Sequence, residues 1–452
     1  MTKGNGAGSM LINLHKTDTE NADVRMADID TTQPFRAGLE YSAPARGTWT
    51  IAHTSMLIPH SHQIFVCPEG CLRGVVLSAA EYGGLDRFSM VTVKEGDFVN
   101  GRMERLFEDG VTDIIRRLPQ RPPAVLVYSC CIQHFMGIDL PGIFRRLRER
   151  FPDIDILECF MLPTMRKSKY TPDELMRISL YDALKQQEKD PKSVNVVGND
   201  FAFDTGSELG EMLTEAGFRI RDICRCREYP EYLEMGSSAA NIYTWKAAEA
   251  GALALEKRLG QKAVSLPVSF DYEEIEEELT EAAGSFHARV PDIKALESEA
   301  DAALARLKAV LGDTPVEIDY TAVSRPLGLA ALFISRGIRV KAVYADAVLP
   351  EEEKALKYLK ENAPDLPLRA TINFRCRIAP RDEAQEEQGK LLAIGQKAAY
   401  FSGTKHFVNL IQNGGLWGFR GIVSLCRMAE EACSAEADTK AIISVKGWGC
   451  CG

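Results

Sequence analysis

Short apolar runs alternate with longer amphipathic segments along most of this chain, and this alternation constrains the fold more than any other feature. In the first part of the chain the pattern predicts strands at 88–93, 124–128 and 154–159, with helices at 101–116 and 140–150 between them. Strands that alternate with helices of this length indicate βαβ units and a parallel sheet. We therefore predict an α/β fold.

The same pattern recurs twice further along the chain. The second set of strands is predicted at 194–198, 218–223 and 263–266, with helices at 171–187, 206–216, 239–259 and two or three more in 271–311. The third set has strands at 316–320, 340–345, 368–373 and 441–445, with helices at 327–335, 350–362 and 422–431. The prediction is three Rossmann-like, doubly wound domains with parallel sheets.

The domain limits follow from where each set begins. We predict an irregular N-terminal arm over 1–46, a first α/β domain over 47–190, a second with a helical bridge over 191–312, and a third with a cysteine-containing tail over 313–452. The arm is rich in Thr, Asp and Asn and lacks periodicity. It either orders on a partner subunit or frays.

Composition and charge narrow the classes of function. Hydrophobic residues make up 45% of the 452 residues and charged residues 26%, which is ordinary for a globular protein. The net charge of −10 disfavours nucleic acid as a partner. No apolar run reaches the roughly 18 residues of a membrane helix, and the first 33 residues contain no signal-like apolar segment. We expect a cytoplasmic protein.

Twelve cysteines in such a chain indicate metal ligation, redox chemistry or burial before disulfides. Cys67 and Cys71 flank a Pro-Glu-Gly turn, in the run F-V-C-P-E-G-C. Cys130 and Cys131 follow directly on the apolar run at 124–128. Because ligands gather at the carboxyl ends of strands in an open α/β sheet, these four thiols form the candidate metal site.

Iron–sulfur clusters usually take four cysteine ligands. Adjacent residues of a strand face opposite ways, so we expect only one of Cys130 and Cys131 to bind iron, with a missing ligand supplied by a second subunit. If both point inward, the chain holds a complete set. Zinc is the alternative metal, because His60, His62 and His134 lie near in sequence, although the tight CxxC spacing typical of zinc is absent. Packing without metal is the third interpretation.

Several segments resemble the nitrogenase component 1 family, in matching order and spacing. They are P-E-G-C at 68–71, E-G-D-F-V-N-G-R-M-E-R-L at 95–106, A-V-L-V-Y-S-C-C-I-Q-H-F-M-G-I-D at 124–139, V-N-V-V-G at 194–198, A-N-I-Y-T-W at 240–245 and L-W-G-F-R-G-I at 416–422. Cys71 and Cys131 match cluster ligands of that family. Cys67 does not match the position of the family's usual first cluster ligand. It either replaces that ligand or belongs to a different set of cluster ligands. Cys130 is an additional thiol.

The resemblance implies cofactors and partners that the residues alone do not. It implies an iron–sulfur cluster near a subunit interface, either [4Fe–4S] or a fused P-cluster-like form. It also implies a homodimer, or a heterotetramer with a sister component 1-like subunit, and an ATP-dependent iron protein as electron donor. The chain contains no GxxxxGK[ST] motif, so a partner would have to bind the ATP.

Departures from the family limit the function. In nitrogenase a Cys and a His hold a second metal cofactor; the matching positions here are Trp245 and about Val408, with His406 two residues away. We therefore expect no nitrogenase-type cofactor held in the standard way, and no nitrogen fixation. Trp245, His406 and Arg325 remain the candidate residues of the cofactor pocket; Arg325 opens a helix, whose N-terminus favours an anion.

The predicted function is a nitrogenase-like reductase subunit that relays low-potential electrons to a substrate between the domains. A scaffold for cluster assembly and a non-catalytic partner subunit are the alternatives. Cys450 and Cys451, in the glycine-flanked tail, either ligate a cluster at an interface or belong to a frayed terminus.

Overall fold

The computed structural model describes residues 23–31, 50–162, 169–371 and 390–437. The strands within these ranges are β1 Asp23–Arg25, β2 His62–Cys67, β3 Phe88–Thr92, β4 Ala124–Cys130, β5 Asp155–Met161, β6 Asp190–Val196, β7 Arg219–Asp222, β8 Ser238–Tyr243, β9 Lys262–Ser265, β10 Val316–Asp319, β11 Val340–Tyr344, β12 Pro367–Arg369, β13 Leu392–Ile394 and β14 His406–Val408. The expected strand at 441–445 and the tail cysteines Cys450 and Cys451 lie outside the described residues.

The α-helices of the same ranges connect these strands. They are α1 Ile51–Ser55, α2 Glu69–Glu81, α3 Glu95–Val99, α4 Met103–Arg117, α5 Cys131–Phe135, α6 Leu140–Arg150, α7 Pro172–Ser179, α8 Glu208–Glu215, α9 Tyr229–Leu233, α10 Glu249–Leu259, α11 Tyr272–Phe286, α12 Ile293–Leu311, α13 Pro326–Ser335, α14 Glu353–Asn362, α15 Gln396–Ser402 and α16 Gly418–Ser434. None of these helices has both the length and the apolar content needed to cross a membrane.

The first sheet has the strand order β3-β2-β4-β5, and all of its strands are parallel. Every residue of the two central strands is buried, since helices cover both faces of the sheet. Phe65 and Tyr128 face one side, where their rings stack 4.0 Å apart. Their neighbours Val66 and Val127 face the core on the other side. β2 was not predicted from the sequence.

The second sheet has the order β7-β6-β8-β9 and is also parallel. Its strand β8 corrects the prediction of one long helix over 239–259, because only Glu249–Leu259 is helical. The alanines of this stretch favour a helix, but burial between two strands decides the structure. Asn241 accepts a hydrogen bond from Asn195 of β6 at 2.8 Å, which fixes β8 in the sheet.

The third sheet has the order β1-β12-β11-β10-β13-β14, parallel except for β1. β1 differs from the expectation of an irregular arm over 1–46. It pairs antiparallel with β12, and Asp23 accepts hydrogen bonds from Arg369 at 2.6 and 2.8 Å. This part of the arm therefore belongs to its own chain's third sheet.

One further helical prediction is wrong in its extent, and the prediction of two or three helices over 271–311 is confirmed. The helix expected over 171–187 ends at Ser179. Beyond this end, the Arg258 guanidinium donates to the carbonyls of Tyr181 and Leu184. The segment 271–311 forms two helices, α11 and α12, and α12 packs along α16.

Candidate functional site: four thiols and an inter-domain cleft

The strand order reverses between β2 and β4 in the first sheet, and a cysteine ends each of these two strands. Phe65 pairs with Tyr128 in the register, so Cys67 and Cys130 lie side by side two residues further along. Both are buried in the same core as the two rings. The crevice where strand order reverses is the usual ligand position of an open α/β sheet.

The other two cysteines, Cys71 and Cys131, lie in the helices α2 and α5, which follow β2 and β4 along the chain. Cys71 lies in the first turn of α2 and is exposed, while Cys131 is the first residue of α5 and is partly exposed. The two adjacent cysteines therefore differ in exposure, since Cys130 is buried and Cys131 is partly exposed.

The four thiols are close enough to influence one another's ionisation. Burial raises the pKa of Cys67 well above its ordinary value, and the charges of Cys130, Cys71 and Cys131 raise it further. Burial raises the pKa of Cys130 to about 11. The pKa of Cys71 is raised by burial and by Cys131. Each of the four thus interacts electrostatically with the other three.

A glutamine holds the buried thiol of Cys130 in place. The Cys130 Sγ donates to Gln133 Oε1 at 3.0 Å, and the Gln133 Nε2 donates to the Val66 carbonyl at 2.8 Å. Two histidines of the zinc alternative lie elsewhere: His62 begins β2, at the opposite end of the strand from Cys67, and His60 pairs with Glu228 at 3.2 Å. The thiols therefore lack these two nitrogen ligands.

The four cysteine thiols suit an iron–sulfur cluster better than a single metal ion. Within the described residues, no three His, Cys, Asp or Glu side chains are placed to hold a single metal ion. A cluster takes one thiolate per iron and so spreads its ligands more widely than one ion does. The four thiols at this crevice, two buried and two at least partly exposed, are the residues that could hold such a cluster.

A cleft between the second and third sheets forms the other candidate site. Its volume is about 540 Å³. Its walls include residues that follow β8, β10 and β11, such as Trp245, Tyr320 and Asp346, together with Arg325 and Gln412. The cleft therefore lies at the carboxyl ends of strands in two sheets, as ligand sites do.

Comparison with known proteins agrees with this architecture. Residues 52–433 match the family model described as "Nitrogenase component 1 type Oxidoreductase". The chain belongs to this family. A solved structure titled "Nitrogenase Cp1 at pH 6.5" is similar, with a TM-score of 0.62 and 15% identity over 88% of this chain and 94% of the other. "Nitrogenase Cp1 at pH 5" has a TM-score of 0.57 and 13% identity, covering 90% and 91%. No curated protein matches by sequence.

Trp245, a predicted residue of the cofactor pocket, is fixed by its own chain. Its Nε1 donates to the Gly198 carbonyl at 2.8 Å, and the Arg177 guanidinium lies 4.8 Å from its ring centre. Gly198 has φ +76°, and a Cβ there would overlap Ala248, so only glycine fits. The indole thus forms a rigid wall of the cleft.

The anion expected beside Arg325 is a carboxylate of the chain itself. The N–H groups of Leu327 and Gly328, at the start of α13, donate to Glu352 at 2.7 and 3.2 Å. Arg325 pairs with Glu274 at 2.5 Å. The positive charge at this helix end is therefore already balanced.

His406 lies away from the cleft. It is the first residue of β14, while the cleft is at the carboxyl ends of the strands. Its Nδ1 is 3.0 Å from the Ala432 carbonyl of α16. The structure thus brings Trp245 and Arg325 together at the cleft, but not His406.

Several polar residues of the cleft were missed from the sequence. Tyr320 donates to Asp346 at 2.7 Å, and Lys397 contacts the Tyr320 hydroxyl. Tyr320 ends the predicted strand 316–320 and Asp346 directly follows the predicted strand 340–345, which was the available signal. Gln412 lies in irregular sequence that gave no such signal.

Proposed function

We propose that the chain is a subunit of a nitrogenase-like reductase in which Cys67, Cys71, Cys130 and Cys131 hold an iron–sulfur cluster. Bound there, the cluster supplies one-electron transfer at low potential. Electrons come from an ATP-dependent iron protein and go to a substrate in the cleft, in the cytoplasm. The proposed domain limits are 47–190, 191–312 and 313–452.

The convergence of four thiols at the crevice between β2 and β4 carries this proposal. Thiolates are the usual ligands of iron–sulfur clusters. Family membership supports an oxidoreductase. The buried pair, Cys67 and Cys130, would shield the cluster from water, and burial is one way a protein sets a cluster potential.

The surface beside the thiols supports a subunit interface. Phe135, at the end of α5, is 73% exposed, and the adjacent Met136 is 49% exposed. Exposed apolar residues next to reachable thiols suit a contact with a second protomer or a sister subunit. We propose that this contact covers Cys71 and Cys131. The same exposure favours a second candidate function, a partner subunit that completes the cluster site of another chain.

Anaerobic purification followed by iron analysis and EPR spectroscopy tests the proposal. We expect on the order of four irons per cluster site, with an EPR signal after reduction by dithionite. A chain that binds no iron after reconstitution would exclude a cluster held by this chain's own four cysteines. Turnover with an iron protein, ATP and dithionite then separates a reductase from a partner subunit or a scaffold.

A further inference from the structure

A small recess opens beside the cleft. Its volume is about 20 Å³, room for one water-sized group. The recess is lined by Asn199, Asp200, Phe203 and Asn413, and it shares Thr244, Trp245, Val268 and Gln412 with the cleft. We call it the amide recess, because three of the residues that line it, Asn199, Gln412 and Asn413, carry carboxamide side chains.

Two residues that line the amide recess each carry a buried carbonyl oxygen without a hydrogen-bond partner among the described residues: Asn199 Oδ1 and Gln412 Oε1. Asn199 is only 8% exposed. Its Nδ2 donates to the Phe201 carbonyl at 2.6 Å and to Asp222 at 3.1 Å. Both partners are acceptors, so this amide cannot be turned round and its oxygen remains the atom without a partner. A buried acceptor without a partner costs about 1–3 kcal/mol.

The backbone of Gln412 has a strained conformation, and this conformation keeps the Gln412 side chain at the amide recess. Gln412 and Asn413 have φ +46° and +63°, in the left-handed region that side chains rarely adopt. Their N–H groups donate to Thr321 and Ala322, both at 2.8 Å, which holds this conformation. Strain of this kind is found where a ligand site requires a particular geometry.

We propose that the amide recess receives the hydrogen-bond-donor end of a ligand whose apolar body occupies the cleft. The donor end is an ammonium or a primary amide, because each presents at least two N–H groups to the two carbonyl oxygens. An anionic end does not fit, since it would meet two hydrogen-bond acceptors, Asn199 Oδ1 and Gln412 Oε1. Tyr243, Trp245, Pro267 and Leu349 line the space for the body.

This inference rests on the proposed function only in naming the ligand as the substrate of the reductase. The binding itself requires no cluster and no electrons. A binding experiment on the metal-free chain therefore distinguishes a failure of this inference from a failure of the proposed function.

The test uses three probes that share a phenyl body: benzylamine, benzamide and benzoate. Isothermal titration of the full chain is expected to show binding of benzylamine or benzamide on the order of 1 mM and no binding of benzoate. Gln412→Leu should weaken binding about tenfold, as expected for the loss of one hydrogen bond. Gln412→Glu keeps an acceptor and should bind benzylamine at least as tightly as the wild type.

Controls and a second readout keep the inference falsifiable. Gln120→Leu changes an exposed glutamine in the loop before β4 and should bind as the wild type. Circular dichroism establishes that each variant is folded. A crystal structure with the bound probe should place its nitrogen between Asn199 Oδ1 and Gln412 Oε1. Binding of neither donor probe, equal binding of benzoate, unchanged binding by Gln412→Leu, or a water in the recess with the probe elsewhere would overturn the inference.

Discussion

Cys67 and Cys130 end two neighbouring parallel strands at the same level, and both side chains face the core that contains Phe65 and Tyr128. The other two thiols of the site, Cys71 and Cys131, begin the helices that follow these strands. The crevice therefore has a buried half and a surface half. The following predictions test different parts of this arrangement and of the cleft.

The two halves should differ in chemical reactivity. In the metal-free chain, iodoacetamide is expected to alkylate Cys71 first, because that thiol is exposed, while Cys67 stays unmodified until the chain unfolds. Reconstitution with iron and sulfide should then protect Cys71. Peptide mapping by mass spectrometry measures the order of labelling. The buried Cys426 is the control and should remain unlabelled in both forms; equal labelling of Cys71 with and without iron would argue against its role as a ligand.

The ion pair of Arg177 and Asp200 should stabilise the region beneath the cleft. Both side chains are fully buried, with hydrogen bonds of 2.5 and 2.8 Å between them. Asp200→Ala leaves the guanidinium without this partner and should lower the free energy of unfolding by about 3–5 kcal/mol. Urea denaturation measures this change.

An exposed ion pair provides the matched control. Arg117 and Asp113 lie on the surface of α4, 2.8 Å apart. Because water screens such pairs, Asp113→Ala should leave the free energy of unfolding essentially unchanged. A similar cost for the buried and the exposed variant would contradict the structural role of Asp200.

Glu352 should make stability depend on pH. Burial raises the pKa of this carboxyl from 4.5 to about 7, against the opposing effect of the Gly328 and Leu327 N–H groups. Below about 4.5 the proton is bound in both the folded and the unfolded chain. As the pH rises through about 7 the folded chain must ionise a buried group, so stability falls. Removing the ionisable group should abolish this loss.

The variant Glu352→Gln keeps an acceptor for the helix N–H groups but cannot ionise. It should be more stable than the wild type by about 2 kcal/mol near pH 8, with a smaller difference near pH 4. Denaturation curves across this range give the comparison. Glu351→Gln changes the exposed neighbour and should show no such trend. A pH-independent difference for Glu352→Gln would rule out this ionisation as the cause.

The apolar surface beside Cys131 should mediate association. Phe135 is 73% exposed, so the variant Phe135→Asp should still fold. It should reduce the dimeric or tetrameric fraction at least tenfold, because a charge buried at an interface is costly. Sedimentation velocity measures the masses. Leu253→Asp alters another exposed apolar residue, on α10, and should not change association. Identical behaviour of the two variants would place the interface elsewhere.

The sequence predicted the parts of this structure that depend on local patterns. The apolar run before Cys130 predicted β4 and its ending, which led to the thiol site. β8 was predicted as a helix because its alanines suit one, whereas pairing with β6 and β9 decides its conformation. β2 was missed, although Ile64, Phe65 and Val66 form a short apolar run before Pro68 that was the available signal.

Long-range partners could not be predicted from the sequence. The carboxylate at the start of α13 comes from Glu352, far along the chain from Leu327, and no local pattern links the two. The same holds for Trp245 and Arg177, which meet only because α7 packs beside the end of β8. The amide recess depends on Asn199 and Gln412, from two different domains of the predicted division.

Iron bound per chain, compared among single cysteine variants purified anaerobically, tests the central claim most directly. Cys71→Ala and Cys131→Ala should lose most of the iron and the EPR signal of the reduced protein while the fold measured by circular dichroism stays intact. Cys159→Ala, which removes a buried thiol on β5 outside the set of four, should retain both. Full iron content in Cys71→Ala and Cys131→Ala, or its loss in Cys159→Ala alone, would contradict the assignment of the cluster to this crevice.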